Sequence, residues 1–128
     1  MTLTVGIDVV EIERIRSAIA GAGDLLTDLL TPAEIRDCTS RRRSHARLAA
    51  CFAVKEAFLK AAGTGLNSGL LFKDIEVVNQ VSGASELRLS GRARELTGGA
   101  DFAKCLVSSA FTDTLACAVV ALYRKGIE

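Results

Sequence analysis

The stretch from about Ser44 to Ala62, SHARLAACFAVKEAFLKAA, constrains the fold more than any other part of this chain. With Glu56 at zero on a helical wheel of about 100° per residue, Ala49, Phe52, Ala53, Lys60 and Gly63 fall within roughly 60° of it. The opposite side carries Ala50, Cys51, Val54, Phe58 and Ala61. A helix apolar nearly all round must be enclosed by other elements. Gly63 follows where a left-handed residue is wanted to end it. Yet Lys55, Glu56 and Lys60 stand inside this stretch, and charges taken out of water need partners.

Around this helix the chain supplies short elements of the other kind. LTVGIDVV, residues 3–10, is a strand with Leu3, Val5, Ile7 and Val9 on one face and Thr4, Gly6, Asp8 and Val10 on the other. Ile12, Ile15, Ile19 and Ala20 recur at helical spacing from about Val10 to Ala20, until the GAG at 21–23 stops the pattern. TPAE, residues 31–34, predicts a helix start with a threonine cap, proline at the first position and Glu34 reaching back, running to about Thr39. KDIEVVNQ and SELRLS alternate around a VSGA turn and form a hairpin. SGRARELTGG is a short helix, and residues 104–124 read as two strands around a turn near Thr112 to Thr114. The expected architecture is one α+β domain over 1–128, a mostly antiparallel sheet packed on the long central helix. No repeat, low-complexity tract or linker interrupts it.

Composition sets limits on function. A chain of 128 residues with 49% apolar residues buries a core without staples. A net charge of +1 and 5% aromatics give no general attraction to nucleic acid and few stacking platforms. Cys38, Cys51, Cys105 and Cys117 lack metal-ligand spacing, and the lone His45 completes no zinc pattern. The start has no signal-peptide pattern and the longest apolar run, Leu115 to Tyr123, is too short for a bilayer, so the expectation is a cytoplasmic protein with reduced thiols and no membrane partner. An antiparallel final hairpin would bring Cys105 and Cys117 near one another, although that compartment argues against a disulfide.

The charges of the central helix point to chemistry. A surface pair of Glu56 and Lys60 at i, i+4 contributes only about 0.2–0.5 kcal/mol. In an enclosed helix that does not offset a desolvation penalty of several kcal/mol per charge. A further partner is required, either another buried charge or a bound ion. Asp8 interrupts an apolar strand, and Gly6 leaves space beside it on the same face. Two readings of Asp8 stand open: a capping box with Glu11 for the helix that follows, and a carboxylate that converges with Glu56. Two converging carboxylates raise one pKa unless a cation separates them. Mg²⁺ suits such a pair, being held by one or two carboxylates and completed by substrate phosphate. Lys60 then offers a point charge to the same phosphate. The GTG at 63–65 lies at a helix C-terminus, where the dipole repels anions, so it is no phosphate loop. Gly63 and Gly65 instead end the helix and let backbone or ligand approach closely.

GIDVVEIERI (6–15), FAVKEAFLKAAGTG (52–65) and LLFKDIEV (70–77) together resemble the holo-[acyl-carrier-protein] synthase family of 4′-phosphopantetheinyl transferases, in order over essentially the whole chain. The resemblance implies that family's fold and the transfer of phosphopantetheine from coenzyme A to a serine of an apo acyl carrier protein, releasing adenosine 3′,5′-bisphosphate. It also implies Mg²⁺ on Asp8 and Glu56, Lys60 near the reacting phosphate, a homotrimer with sites between subunits, and Arg14 docking the acidic carrier. Coenzyme A contacts are expected at Lys60, Gly63, Gly65 and, from the basic run RRRSHAR at 41–47, Arg43. Two departures stand out. Cys51 occupies a place where family members often have arginine, and Ala110–Phe111 replace a frequent Ser-His or Thr-His pair. The alternatives are a coenzyme A binding trimer that has lost turnover and a Mg²⁺-dependent phosphohydrolase.

Overall fold

Strand β1 (Thr2–Glu11) leads into helix α1 (Ile12–Gly21), and two short helices follow, α2 (Leu25–Leu29) and α3 (Pro32–Thr39). The long helix α4 spans Ser44–Ala62; after it come a 3-10 turn (Phe72–Asp74), strands β2 (Ile75–Asn79) and β3 (Ser85–Leu89), helix α5 (Gly91–Leu96), and strands β4 (Phe102–Phe111) and β5 (Leu115–Arg124). This is a computed structural model, and it describes residues 2–21, 23–63, 69–97 and 102–124. β1, β5 and β4 form an antiparallel sheet in that order, and β2 pairs with β3 as a separate hairpin. The α+β expectation holds, with two sheets where a single one was read. None of the helices among the described residues is long and apolar enough to cross a membrane.

α4 is the axis of the core, as its all-round apolar surface requires. Phe58 and Val54 are enclosed with Ile75 of β2 and Val120 and Leu122 of β5. Each such side chain contributes about 1.5–3 kcal/mol by leaving water. Gly63 ends α4 in the left-handed region at φ 71°, its N–H donating back to the carbonyls of Leu59 and Lys60. At the other end Arg43, not a glycine, takes φ 61°. Thr31 and Glu34 form the reciprocal cap expected of TPAE, with the Thr31 N–H on Glu34 Oε1 at 2.8 Å.

Two local readings change, and one short element was not read at all. β1 continues through Val10 and Glu11, which pair with Ala116 and Leu115, so the helix begins at Ile12 and Asp8 lies too far inside the strand to cap it. The Ile12 N–H donates to Thr114 O at 2.9 Å, fixing this switch against the β4–β5 turn. Cys105 pairs with Leu122 and Cys117 with Ala110, which sets the two thiols on opposite faces of the sheet; both are free. α2 has five residues and no side-chain cap, too short for periodicity to announce.

Candidate active site between β1 and α4

β1 meets α4 through its small and polar face. Gly6 makes this possible, since a Cβ there would lie 1.9 Å from Ala57 O and 2.6 Å from Ala61 N. With strand and helix this close, Lys60 Nζ donates to Ile7 O at 2.9 Å and to Asp8 Oδ1 at 3.0 Å. Glu56 is one helical turn before Lys60, and it shares with Asp8 a cavity of about 550 Å³. Glu11, Arg14, Ile15 and Ala18 close the α1 side, and Phe52 and Leu115 line the rest. The strand-to-helix switch at Ile12 is what turns Arg14 toward the cavity that Asp8 enters.

Electrostatics distinguish the two carboxyls from an ordinary surface pair. Burial pushes the Glu56 carboxyl up, the nearby Asp8 charge adds to this, and Lys60 opposes it. The Asp8 side chain is only 16% exposed, and Lys60 takes it, rather than Glu56, as its ion-pair partner. Around the cavity the carboxylates of Asp8, Glu11 and Glu56 outnumber the cations Arg14 and Lys60, leaving an excess negative charge. That arrangement suits a divalent ion and repels an unaccompanied phosphate. Among the described residues no cluster of three or more metal-ligating side chains exists. Two carboxylates are nonetheless what Mg²⁺ takes where waters and substrate oxygens complete its shell.

Similarity to known proteins identifies the family. Residues 4–120 match the 4′-phosphopantetheinyl transferase superfamily. The chain belongs to that superfamily. It is 43% identical over 120 residues to a holo-[acyl-carrier-protein] synthase of Geobacter sp. (strain M21), covering 93% of this chain and 96% of the relative. The fold is similar to the ACPS–CoA complex from Chronobacterium ammoniagenes, with a TM-score of 0.86 and 25% identity over 98% of this chain and all of the other. It is also similar to the Helicobacter pylori holo-[acyl-carrier-protein] synthase in complex with coenzyme A, at a TM-score of 0.80, 29% identity, and coverage of 93% and 99%.

Within this superfamily member, Asp8, Glu56, Lys60 and Arg14 gather at one place. Gly63 closes the helix one turn past Lys60, and Gly65 lies outside the described residues. Arg43 is elsewhere: it binds Asp113 Oδ1 at 2.7 Å and Thr112 O at 3.0 Å in the β4–β5 turn. Phe111 lies beneath both Arg43 and Arg47, its ring centre 5.0 and 5.4 Å from the two guanidinium carbons.

Lys55 proves to be structural. It is fully buried, with Nζ 2.7 Å from Glu34 Oε1 and 3.0 Å from Phe72 O. Glu34 Oε2 accepts from the Val77 N–H at 2.8 Å and from the Cys51 thiol at 3.3 Å. This one carboxylate therefore caps α3, neutralises α4 and holds β2. The partner that burial requires is thus Glu34 for Lys55; Lys60, 54% exposed, is not enclosed as its helix position predicted, and its pair with Asp8 answers the burial of Asp8 instead. Sequence reasoning placed Glu34 in its cap and missed its pairing with Lys55. A lysine on the enclosed helix and an acid in a neighbouring cap were the only signal. It also missed a second cavity of about 310 Å³, bordered by Arg41, Arg47 and the β2–β3 turn.

Proposed function

We infer that this chain is a holo-[acyl-carrier-protein] synthase. It transfers the 4′-phosphopantetheine arm of coenzyme A to a serine hydroxyl of an apo acyl carrier protein and releases adenosine 3′,5′-bisphosphate. The observation that carries this reading is the convergence of Asp8 and Glu56, from a strand and a helix far apart in sequence, on one cavity with Lys60 at its edge.

Each residue has a physical task. Asp8 and Glu56 fit Mg²⁺, which when bound neutralises charge on the pyrophosphate of coenzyme A. Lys60 spends two of its three N–H donors on Ile7 O and Asp8 Oδ1, which aims the ammonium and leaves a donor for a phosphate oxygen. The fixed cation offsets charge that develops as the phosphoanhydride breaks. Glu56, which lines the same cavity as Asp8, is placed to take the proton of the attacking serine at a carboxylate oxygen that the metal would leave free. Arg14, exposed on α1 beside the cavity, meets the acidic carrier and sets the serine in line.

The reading extends to a homotrimer. Leu3, Val5, Ile7 and Val9 form an apolar row on the sheet face turned away from α4, between 52% and 62% exposed. Val119 and Leu106 continue it across β5 and β4. A row of this kind in a chain of this size fits contact with further copies of itself. The cations of residues 41–47 then serve coenzyme A or the carrier.

Incubation with coenzyme A, Mg²⁺ and an apo carrier protein tests the activity. A carrier mass gain of one phosphopantetheine is expected. Asp8→Ala and Glu56→Ala each abolish it while leaving the fold intact by circular dichroism. Coenzyme A binding without product would instead establish the binder that has lost turnover, and hydrolysed coenzyme A the phosphohydrolase.

A further inference from the structure

The approach of β1 to α4 encloses the Asp8 side chain, and a carboxylate so placed needs a counter-charge. Lys60 supplies it. The ammonium is fixed at two points, donating to Ile7 O at 2.9 Å and to Asp8 Oδ1 at 3.0 Å. One acceptor is a backbone carbonyl of β1, so the ammonium is tied to the strand as well as to the carboxylate. Glu56 differs. It lines the cavity that Asp8 enters, yet among the described residues no cation lies within ion-pair distance of it. Of the two carboxyls that suit a metal, one already carries a cation and the other is open.

This inequality governs what the site takes up. A divalent ion entering alone either shares Asp8 with the ammonium, through the oxygen that Lys60 leaves, or displaces Lys60 from both acceptors. Neither course is favourable. Like charges on one carboxylate repel, and displacement gives up two hydrogen bonds. A diphosphate entering alone meets the carboxylates of Asp8, Glu11 and Glu56. Entering together, the two offset each other, because phosphate oxygens take the remaining N–H of Lys60 and stand between the ammonium and the metal charge.

We propose that Lys60, by occupying Asp8, is a specificity-determining residue that makes the site weak for a bare divalent cation and strong for one accompanied by a diphosphate. The lysine is thus antagonistic to the metal until the substrate arrives. Its removal should tighten the binding of free metal, the opposite of what loss of a merely supporting residue would do. Coupling between two ligands is reciprocal, so the metal raises affinity for the diphosphate by the same factor. The inference rests on the assignment of Asp8 and Glu56 to the metal made above.

The test measures Mn²⁺, which takes the same oxygen donors as Mg²⁺, on the full chain by electron paramagnetic resonance of the free ion, with no carrier protein and no turnover. Lys60→Met removes the ammonium and keeps an unbranched side chain, and it should bind Mn²⁺ alone about tenfold more tightly than wild type. Coenzyme A is the diphosphate probe. It should tighten Mn²⁺ binding about tenfold less in Lys60→Met than in wild type, after subtraction of the Mn²⁺ that coenzyme A holds in protein-free solution. Arg14→Met controls for overall charge: Arg14 lines the cavity without pairing with Asp8, so its loss should change Mn²⁺ affinity by less than about threefold. Asp8→Asn separates the inference from the reading beneath it. If Asp8→Asn binds Mn²⁺ as wild type does, the metal sits elsewhere and both fall. If Asp8→Asn loses Mn²⁺ while Lys60→Met binds it no more tightly than wild type, the metal assignment stands and this inference is overturned. Equal tightening in Arg14→Met and Lys60→Met also overturns it, since net charge and not the shared carboxylate would be responsible. A wild type whose Mn²⁺ affinity coenzyme A leaves unchanged overturns it without any variant.

Discussion

Replacing Gly6 with alanine tests whether the closeness of β1 to α4 assembles the active site. The added Cβ falls 1.9 Å from Ala57 O and 2.6 Å from Ala61 N, backbone atoms of α4 that no rotamer change moves aside. Ordinary carbon contacts begin near 3.5 Å, so strand and helix must part by roughly 1.5 Å. Overpacking costs about 1–3 kcal/mol, and a clash against rigid backbone belongs at the upper end, about 3 kcal/mol. In a domain of this size that lowers Tm by about 10 °C. Asp8 lies two residues further along the same face and withdraws with the strand from Glu56 and Lys60. Misplacement by about 1 Å at a reacting centre costs on the order of 100-fold, so kcat/KM for carrier modification should fall by about that factor. Thermal melts followed by circular dichroism and mass-spectrometric assay of the carrier measure both effects. Gly23→Ala is the control: nothing lies within 4 Å of its added Cβ, so its Tm should be unchanged or slightly raised. A Gly6→Ala protein that melts like wild type would refute the packing argument. One that melts early yet retains full activity would refute the link from packing to site.

Further outcomes follow from the same geometry. Lys55→Met leaves Glu34 buried without its counter-charge and should cost about 3 kcal/mol in urea melts, with part of the loss recovered on adding Glu34→Gln; a neutral single variant would mean that Glu34 is satisfied by its other donors alone. Arg14→Glu should raise KM for the carrier about tenfold and leave KM for coenzyme A unchanged, because it reverses a docking charge; equal effects on both would remove Arg14 from docking. Ile7→Lys, 62% exposed in the free chain, should convert the proposed trimer to monomer in sedimentation velocity, and an unchanged sedimentation coefficient would place the contact elsewhere.

Elements with strong local signals were legible from sequence. The bounds of α4, the cap at Thr31 and Glu34, the left-handed Gly63 and the final hairpin all follow from spacing and caps acting within a few residues. That Asp8 and Glu56 face one cavity was legible as well, because two charges on apolar elements need a common reason to be there. The register of β5 against β1 was not legible. It holds Val10 and Glu11 in the strand and denies Asp8 its cap, while the equally illegible register of β4 against β5 separates Cys105 from Cys117.

The amino-acid sequence by itself determined that a helix apolar on every side must be wrapped by the rest of the chain, and that its charges need partners. Only the tertiary structure decided which partners. Alternation in β1 marks two faces and does not say which turns inward; Gly6 lets the polar face meet α4 and leaves the apolar row outside. Lys55 and the Cys51 thiol both found Glu34, across helices whose approach no local pattern specifies. Local preferences act through neighbours along the chain, whereas a buried charge is satisfied by whatever packing brings within about 3 Å of it.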